Sequence, residues 1–594
     1  MDKHLGGFIQ RLAAAGELRT VDRRVSAIVE ISRYTDAESK APDGGRALLF
    51  TDVDGSAFPV ATNLFGSPRR ICMALGVQRL DELGDRIRAY LALQPPRNLR
   101  EAFGLLPRIL DLTRFLPRRG RSRLPACQQV VHTGQDVDLG RLPVLQCWPK
   151  DAGRFITLPL VFTRSLETGR RNVGMYRMQV FDRCTTGMHW HIHKDGAHYF
   201  NAYRRAGKRM PVAVAIGADP ATIYAATAPM PRDIDELMLS GFIRRRPVTL
   251  TACKTIDLMV PAEAEFVLEG YVDPEETRLE GPFGDHTGYY SPADLYPVFH
   301  VTALTHRRRP VYSATLVGRP PMEDCYLAKA TERIFLPLIQ AVMPEIRDYW
   351  FPWEGVFHNI VVVSIHKAFA GHAHKVIHGL WGQGQMSFAK AIVVVDAEID
   401  FQDPRRILDL LMTRLDPATD LILTRGVLDV LDHSSPHANF GSKIGIDLTR
   451  RWPGEPPREP PGPEGRPLPD TASGIARLSS RLAGVLDFRV WESANGAAGS
   501  RGICLQLEKG GRPGRQVAEA LLAADVLRGF DRIVFMDPDV RLEDTSLLLW
   551  RFFNNVDPGR DILCRGRRIA VDACRKTPAD GHLRPWPEAL TFDP

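Results

Sequence analysis

The chain has 594 residues, 44% hydrophobic and 25% charged, with a formal net charge of +7 and a pI near 8.9. These values are those of an ordinary soluble globular protein with several domains. The positive balance sits in arginine-rich loops, Arg118 to Arg123 and Arg244 to Arg246. With no aromatic-studded basic strip and no DNA-binding module, nucleic acid is not an expected partner. The first 18 residues lack the apolar core of a signal peptide, and nowhere is there an 18-residue apolar run. The expected location is cytoplasmic, at most peripheral at the inner membrane. Nine scattered cysteines with no CxxC pair fit reduced thiols and argue against a disulfide framework or a structural zinc site.

Helical spacing of Leu5, Phe8, Ile9 and Leu12, stopped by Gly16, predicts a helix over 4 to 18. A second helix is expected over 26 to 37, strands at Ala47 to Phe50 and Pro59 to Ala61, and a helix from Ser67 to Leu75. Residues 1 to 125 thus read as an N-terminal α/β domain. Valine-rich runs separated by Gly, Asp and Pro turns then fill a mainly β domain, 126 to 325, interrupted by two expected helices at 219 to 227 and 233 to 240. Strand and helix alternation marks a C-terminal α/β domain, 326 to 452. Eight prolines between 453 and 469 open a linker taken to run to 500, ahead of a last module, 501 to 594.

That last module repeats the one before it. Asp396, Asp416 and Asp420 match Asp537, Asp557 and Asp561 at one offset of 141. Strand 359 to 365 with Lys367 matches 502 to 507 with Lys509, and IGIDLTRRWP matches IAVDACRKTP. The shared string of strand, acidic turn, helix, Asp-Pro turn and strand implies a duplicated α/β module. The second copy has no counterpart of SSPHANFGSK (434 to 443), so a structural role is expected for it.

Four stretches carry candidate chemistry. NVGMYRMQVFDRCTTGMHWHIHKDGAHYF (172 to 200) reads as two strands joined by a turn at Thr185 to Gly187, with His189, His191 and His193 on one face of the second. Asn172, Tyr176 and Arg177 on the first strand face them, and such a polar group points to a phosphate or metal site. EGPFGDHTGYY (280 to 290) sets Glu280 and Asp285 on a glycine-bent turn. They form a plausible proton-handling pair, one raised in pKa by burial and its neighbour, the other held ionised by an arginine. NFGSKIG (439 to 445) places glycines around Lys443 and suits phosphate capture. Glu236 in DIDELMLSG reads alone as a solvated helix position.

Together with IGADPAT (216 to 222) and GRPP (318 to 321), these motifs resemble the UbiD family of decarboxylases over residues 5 to 450. The resemblance implies a central split β-barrel of flavin-reductase type and prenylated FMN as cofactor, supplied by a flavin prenyltransferase. It implies Asn172, His193 and Glu236 as ligands of a divalent metal, usually manganese, with a potassium ion nearby. Met175, Tyr176, Arg177, His189, Trp190, His191, Lys194 and Asp195 match flavin-contacting positions, and Lys443 matches a phosphate-binding lysine. Arg177, Glu280 and Asp285 match the catalytic network, with Glu280 as proton shuttle. HWHIH is richer in histidine than the family commonly is, and the last 140 or so residues are absent from its shorter members.

The implied reaction is decarboxylation of an aromatic carboxylic acid, foremost a 4-hydroxy-3-polyprenylbenzoate on the ubiquinone route. A naphthoate-type acid of menaquinone biosynthesis is the rival, and another aromatic acid or the reverse carboxylation the third reading. A homodimer or homohexamer is expected. Of other classes, a flavin oxidoreductase lacks support from any GxGxxG after a strand. A non-catalytic assembly subunit is at odds with the presence of Arg177, Glu280 and Asp285.

Overall fold

The computed structural model describes residues 3–93, 113, 115–191, 194–458, 476, 478–492 and 501–592. The chain divides into two compact units, Met1–Ile334 with Glu588–Pro594, and Phe335–Pro587. No described helix is long and apolar enough to cross a membrane.

In the first unit, helix Leu5–Ala14 buries Leu5, Phe8, Ile9 and Leu12, and helix Pro68–Leu75 is capped by the Ser67 side chain. They accompany a four-stranded sheet in the order Leu18–Val21, Ala47–Phe50, Val60–Thr62, Tyr312–Ser313. The second helix begins at Glu30 and ends at Ser39, later than the pattern predicts.

The larger sheet of this unit is antiparallel. Its order is Thr185–Gly187, Asp294–His306, Phe266–Glu280, Met210–Ile216, Pro159–Arg164, Arg171–Met175, with Val130–Thr133 also on Asp294–His306. Val212, Val214, Ile216, Phe266, Leu268 and Phe299 are fully buried in its core. The path is open, and no pairing among the described residues closes it into a barrel.

Two local expectations are corrected here. Thr185–Gly187 is not a turn but the sheet's edge strand, paired with Val298–His300, and His189 to His191 form no strand. A third helix, Asp195–Arg205, follows and buries Ala197, Tyr199, Phe200 and Tyr203.

The second unit contains two five-stranded sheets of one topology. The first runs Ile346–Trp350, Ile360–Ile365, Ala391–Asp396, Phe440–Asp447, Leu421–Val427. The second runs Val485–Glu492, Arg501–Leu507, Arg532–Met536, Arg568–Asp572, Ile562–Arg565. In both sheets the successive neighbours pair antiparallel, parallel, parallel and antiparallel. The second copy begins with Val485–Glu492, inside the stretch read as linker.

The matched aspartates explain the repeat. Asp416 and Asp557 cap short helices, and Asp420 and Asp561 each accept the amide of the residue four earlier at 2.8 Å. Asp396 accepts from Arg450 N and Asp537 from Arg575 N. The copies also pack on each other reciprocally. Asn359 in the first reaches Asn554 in the second at 3.1 Å, while Gly502, beside the equivalent position, lies against Met412. Ser442 N donates to Asp557, and its counterpart Arg567 donates to Leu415 O. This is the contact pattern of a two-fold interface, and one apolar core with Val393 and Leu410 from the first copy and Met536 and Val571 from the second fills it.

Candidate active site

The site is built where the first unit's strands end. Strand Arg171–Met175 stops, and Tyr176 and Arg177 lead into the short strand Met178–Gln179, which pairs with Phe155–Ile156. The 15-residue strand Phe266–Glu280 delivers Glu280 at its last position. The ribbon Phe283–Gly284 with Tyr290–Ser291 then carries Asp285 on its turn. That turn closes through Asp285 N to Tyr289 O and Gly288 N to Asp285 O, both 3.0 Å.

Arg177 ties these pieces together. Its Nε donates to Glu280 Oε1 at 3.1 Å, Nη1 to Asp285 Oδ2, and Nη2 to Ser291 Oγ at 3.0 Å. The guanidinium lies 4.6 Å from the Phe283 ring centroid. Three of its five donors are therefore committed to the protein.

The two carboxylates have different surroundings. Burial opposes the charge on Asp285, but Arg177 and then His286 outweigh it and hold the group well below the usual carboxylate range. Glu280 is 0% exposed; its Oε1 takes Arg177 and His189, while Oε2 is buried without a hydrogen-bond partner. Oε2 faces Gly187, where a Cβ would lie 2.6 Å away.

His189 Nδ1 meets Glu280 Oε1 at 2.7 Å, and its Nε2 meets His191 Nε2 at 2.7 Å. Burial first, and Arg177 next, push the His189 pKa below the ordinary imidazole value against the pull of Glu280. Because Oε1 already accepts from Arg177, His189 donates through Nδ1, which leaves Nε2 to accept from His191. His189 and His191 thus meet, but through a loop beside Glu280 rather than across a strand face.

A second cluster lies at the other end of strand Arg171–Met175. Asn172 is buried, with Nδ2 3.4 Å from Thr163 Oγ1, and it hydrogen-bonds Tyr176, whose hydroxyl burial pushes up to about 12. Glu236 opens helix Glu236–Arg244 and is buried, not solvated as the sequence pattern alone suggests. Its Oε2 accepts from Val173 N at 2.8 Å, and burial pushes its carboxyl up to about 8. Glu236 is a buried carboxylate with no cationic partner among the described residues, the kind of oxygen ligand whose charge a hard divalent cation compensates. His193 lies outside the described residues. Among the described residues, no three His, Cys, Asp or Glu side chains are grouped so as to hold a metal ion by themselves.

Of the other predicted contacts, Trp190 is buried with its Nε1–H unpartnered, a donor suited to a flavin acceptor. Met175 ends its strand, and Lys194 and Asp195 open the helix, where Asp195 takes Arg232 at 3.0 Å. Lys443 belongs to the second unit. Gly441 and Gly445 lie in strand Phe440–Asp447, Gly441 paired with Gly426 and Gly445 with both Ile422 and Ile392, so they sit in a sheet rather than in a loop. Lys443 Nζ donates to the carbonyls of Ser387 and Val427, and burial lowers its pKa to about 8.

Three contributors escape motif reading. Ser291 completes the arginine's shell, Gly187 makes room for Glu280 Oε2, and Asp151 accepts from Gly284 N at 2.7 Å and from Cys147 and Trp148. A glycine in an edge strand next to a polar motif is the one signal the sequence offers for any of them.

Family models match nearly the whole described chain: the 3-octaprenyl-4-hydroxybenzoate carboxy-lyase N-terminal domain over 9–87, the Rift-related domain over 119–320, and the C-terminal domain over 325–448 and 475–581. The chain belongs to the UbiD family. Members of this family are prenylated-FMN-dependent carboxy-lyases. An uncharacterized protein of Archaeoglobus fulgidus is 50% identical over 447 residues, 75% of this chain and 91% of that protein. An uncharacterized protein of Helicobacter pylori strain J99 is 37% identical over 98% of this chain and 93% of its own, so the match takes in the second copy. An evolved dimeric form of the UbiD-class enzyme HmfF from Pelotomaculum thermopropionicum, in complex with prFMN, is 28% identical with a TM-score of 0.64, over 77% of this chain and 97% of that one.

Proposed function

We propose that this UbiD-family protein decarboxylates a 4-hydroxy-3-polyprenylbenzoate in ubiquinone biosynthesis, using prenylated FMN and a divalent metal, usually manganese. The observation that carries the reading is the Glu280–Arg177–Asp285 network with one buried, unpartnered carboxylate oxygen.

The bound cofactor supplies an electron sink for the pair left as the carboxylate departs. The protein's part is positioning and proton delivery. Arg177 keeps donors beyond its three internal bonds for the substrate carboxylate, an attraction that ends when CO₂ leaves. Asp285, held ionised, fixes the guanidinium from one side. Glu280 delivers the proton from Oε2 to the ring carbon that carried the carboxylate, and His189 steadies its other oxygen. Asn172 and Glu236, with His193, hold the metal, and Trp190 offers its N–H to the flavin. A potassium ion near the cofactor phosphate and a homodimeric or homohexameric assembly belong to the same reading.

The test is expression with and without a flavin prenyltransferase, followed by CO₂ release from polyprenyl-hydroxybenzoate, naphthoate and simpler aromatic acids. Release from the first acid alone, and only with the prenyltransferase, is expected. Activity without the prenyltransferase overturns the cofactor assignment, and preference for a naphthoate moves the protein to menaquinone biosynthesis.

A further inference from the structure

Residues Glu588 to Phe592 follow the second copy in the chain but belong to the first unit. They lie along the turn that carries Asp285. Ala589 forms an antiparallel bridge with Tyr289; Tyr290 N donates to Glu588 O at 3.0 Å and Leu590 N to Gly288 O at 2.9 Å. Gly288 and Tyr289 are the same residues whose amide and carbonyl close the turn on Asp285.

Side chains anchor this contact. Leu590 sits over Gly284, where a Cβ would lie 2.9 Å from Leu590 Cδ2 and 2.2 Å from Trp148 Cδ1. Only glycine leaves that seat open. Phe592 stacks on Trp148 with centroids 4.3 Å apart, and Arg33 donates to Phe592 O at 2.5 Å with its guanidinium 5.2 Å from the ring. Lys150 and Glu588 form an exposed ion pair, which contributes little.

We propose that this C-terminal segment is a positioning element for Asp285, a strap supplied by the far end of the chain. The inference rests on the function proposed above. The turn around Asp285 is glycine-rich and short, and its own ribbon pairs only two residues on each side. From one side Asp151 holds Gly284 N; from the other the tail holds Gly288 O and Tyr290 N. Without the tail Gly288 O and Tyr290 N lose these partners, and the turn that carries Asp285 loses the support on that side. Small displacements of such a group weaken turnover more than substrate binding.

The experiment compares the full cofactor-loaded protein with Leu590→Ala, with Phe592→Ala, and with a chain stopped after Pro587. Hydrogen exchange of 284–290, flavin content, kcat and KM are measured. Faster exchange confined to 284–290, flavin retained, and kcat lowered 10-fold or more with KM within two-fold are expected, with Leu590→Ile restoring both. Unchanged exchange, or a loss spread over the whole first unit in every variant, overturns the strap. Faster exchange in the variants together with a full-length protein inactive on every aromatic acid supports the strap and overturns the proposed function instead.

Discussion

His189 Nδ1 and Arg177 Nε converge on one oxygen of Glu280, at 2.7 and 3.1 Å, and leave its other oxygen buried and unpartnered. Under the function proposed above, Oε2 is the oxygen that faces the reacting carbon. Glu280→Gln is expected to lower kcat by about 10²-fold or more while flavin stays bound. His189→Phe removes one support only and is expected to lower kcat about 10-fold. Because the His189 pKa lies below its ordinary value, the ring is neutral at pH 7 and protonates only in acid. Its protonated Nε2 can no longer accept from His191, so an acid-side fall in kcat is expected in the parent and not in His189→Phe. A pH profile of kcat for both proteins checks this.

Gly187 matters for space, not for backbone freedom. A methyl group there would lie 2.6 Å from Glu280 Oε2. Gly187→Ala is expected to displace the carboxylate and cut kcat at least 10-fold, at a stability cost of about 1–3 kcal/mol from overpacking. Turnover measured beside thermal unfolding separates the two effects. An active Gly187→Ala removes the role given to Oε2.

Much of this was legible in the residues, and what was not has physical causes. The residue pattern gave strand Ala47–Phe50 to the residue and helix Pro68–Leu75 with its cap Ser67, because the first is apolar along its length and the second amphipathic. The repeat was visible because capping and buried aspartates recur for backbone reasons. Alternation misled at His189 to His191, where the polar and apolar residues alternate in a loop held by Glu280 rather than in a strand. Glycines misled at 441 and 445, where they sit in a strand and leave room for the Ser435 and Ile377 side chains rather than opening a loop. Glu236 looked solvated because only the fold reveals that strand Arg171–Met175 covers it. Ser291 and Asp151 reach the site through contacts set by turn geometry, which no spacing encodes.

Lys390 and Asp432 form an ion pair in the interior of the second unit, 2.8 Å apart and both nearly inaccessible. Burial opposes the charge on Asp432, but Lys390 and then Ser434 outweigh it and depress its pKa. A depressed carboxylate contributes stability above its unfolded value, near 4, that is lost as pH falls below it. Asp432→Ala strands the lysine and is expected to cost about 3–5 kcal/mol, whereas Lys390→Met with Asp432→Leu recovers most of it. Urea unfolding at pH 7 and at pH 3 checks both: the double variant should show the smaller loss in acid.

The duplicated lysines give the sharpest test of the repeat. Lys367 Nζ reaches Glu455 at 2.7 Å and Asp447 at 3.7 Å, and Gly371 N donates to Glu455. Lys509 Nζ reaches Asp580 at 3.0 Å and Asp572 at 3.2 Å, and Gly514 N donates to Asp580. The same charge, pair of acids and glycine amide recur across two copies that differ in most other side chains. The network therefore serves the module's own fold, where each lysine neutralises two buried acids. Lys367→Met and Lys509→Met are each expected to destabilise the second unit by about 3–5 kcal/mol. For Lys509 burial lowers the pKa but Asp572 and Asp580 outweigh it, so that contribution is present at neutral pH and is lost as pH rises past the ordinary lysine value near 10.4. Because the copies share one core, either variant should unfold both together in a single transition. Two separate transitions in Lys509→Met, with the first copy intact, would show that the copies are energetically independent and that their reciprocal packing contributes little.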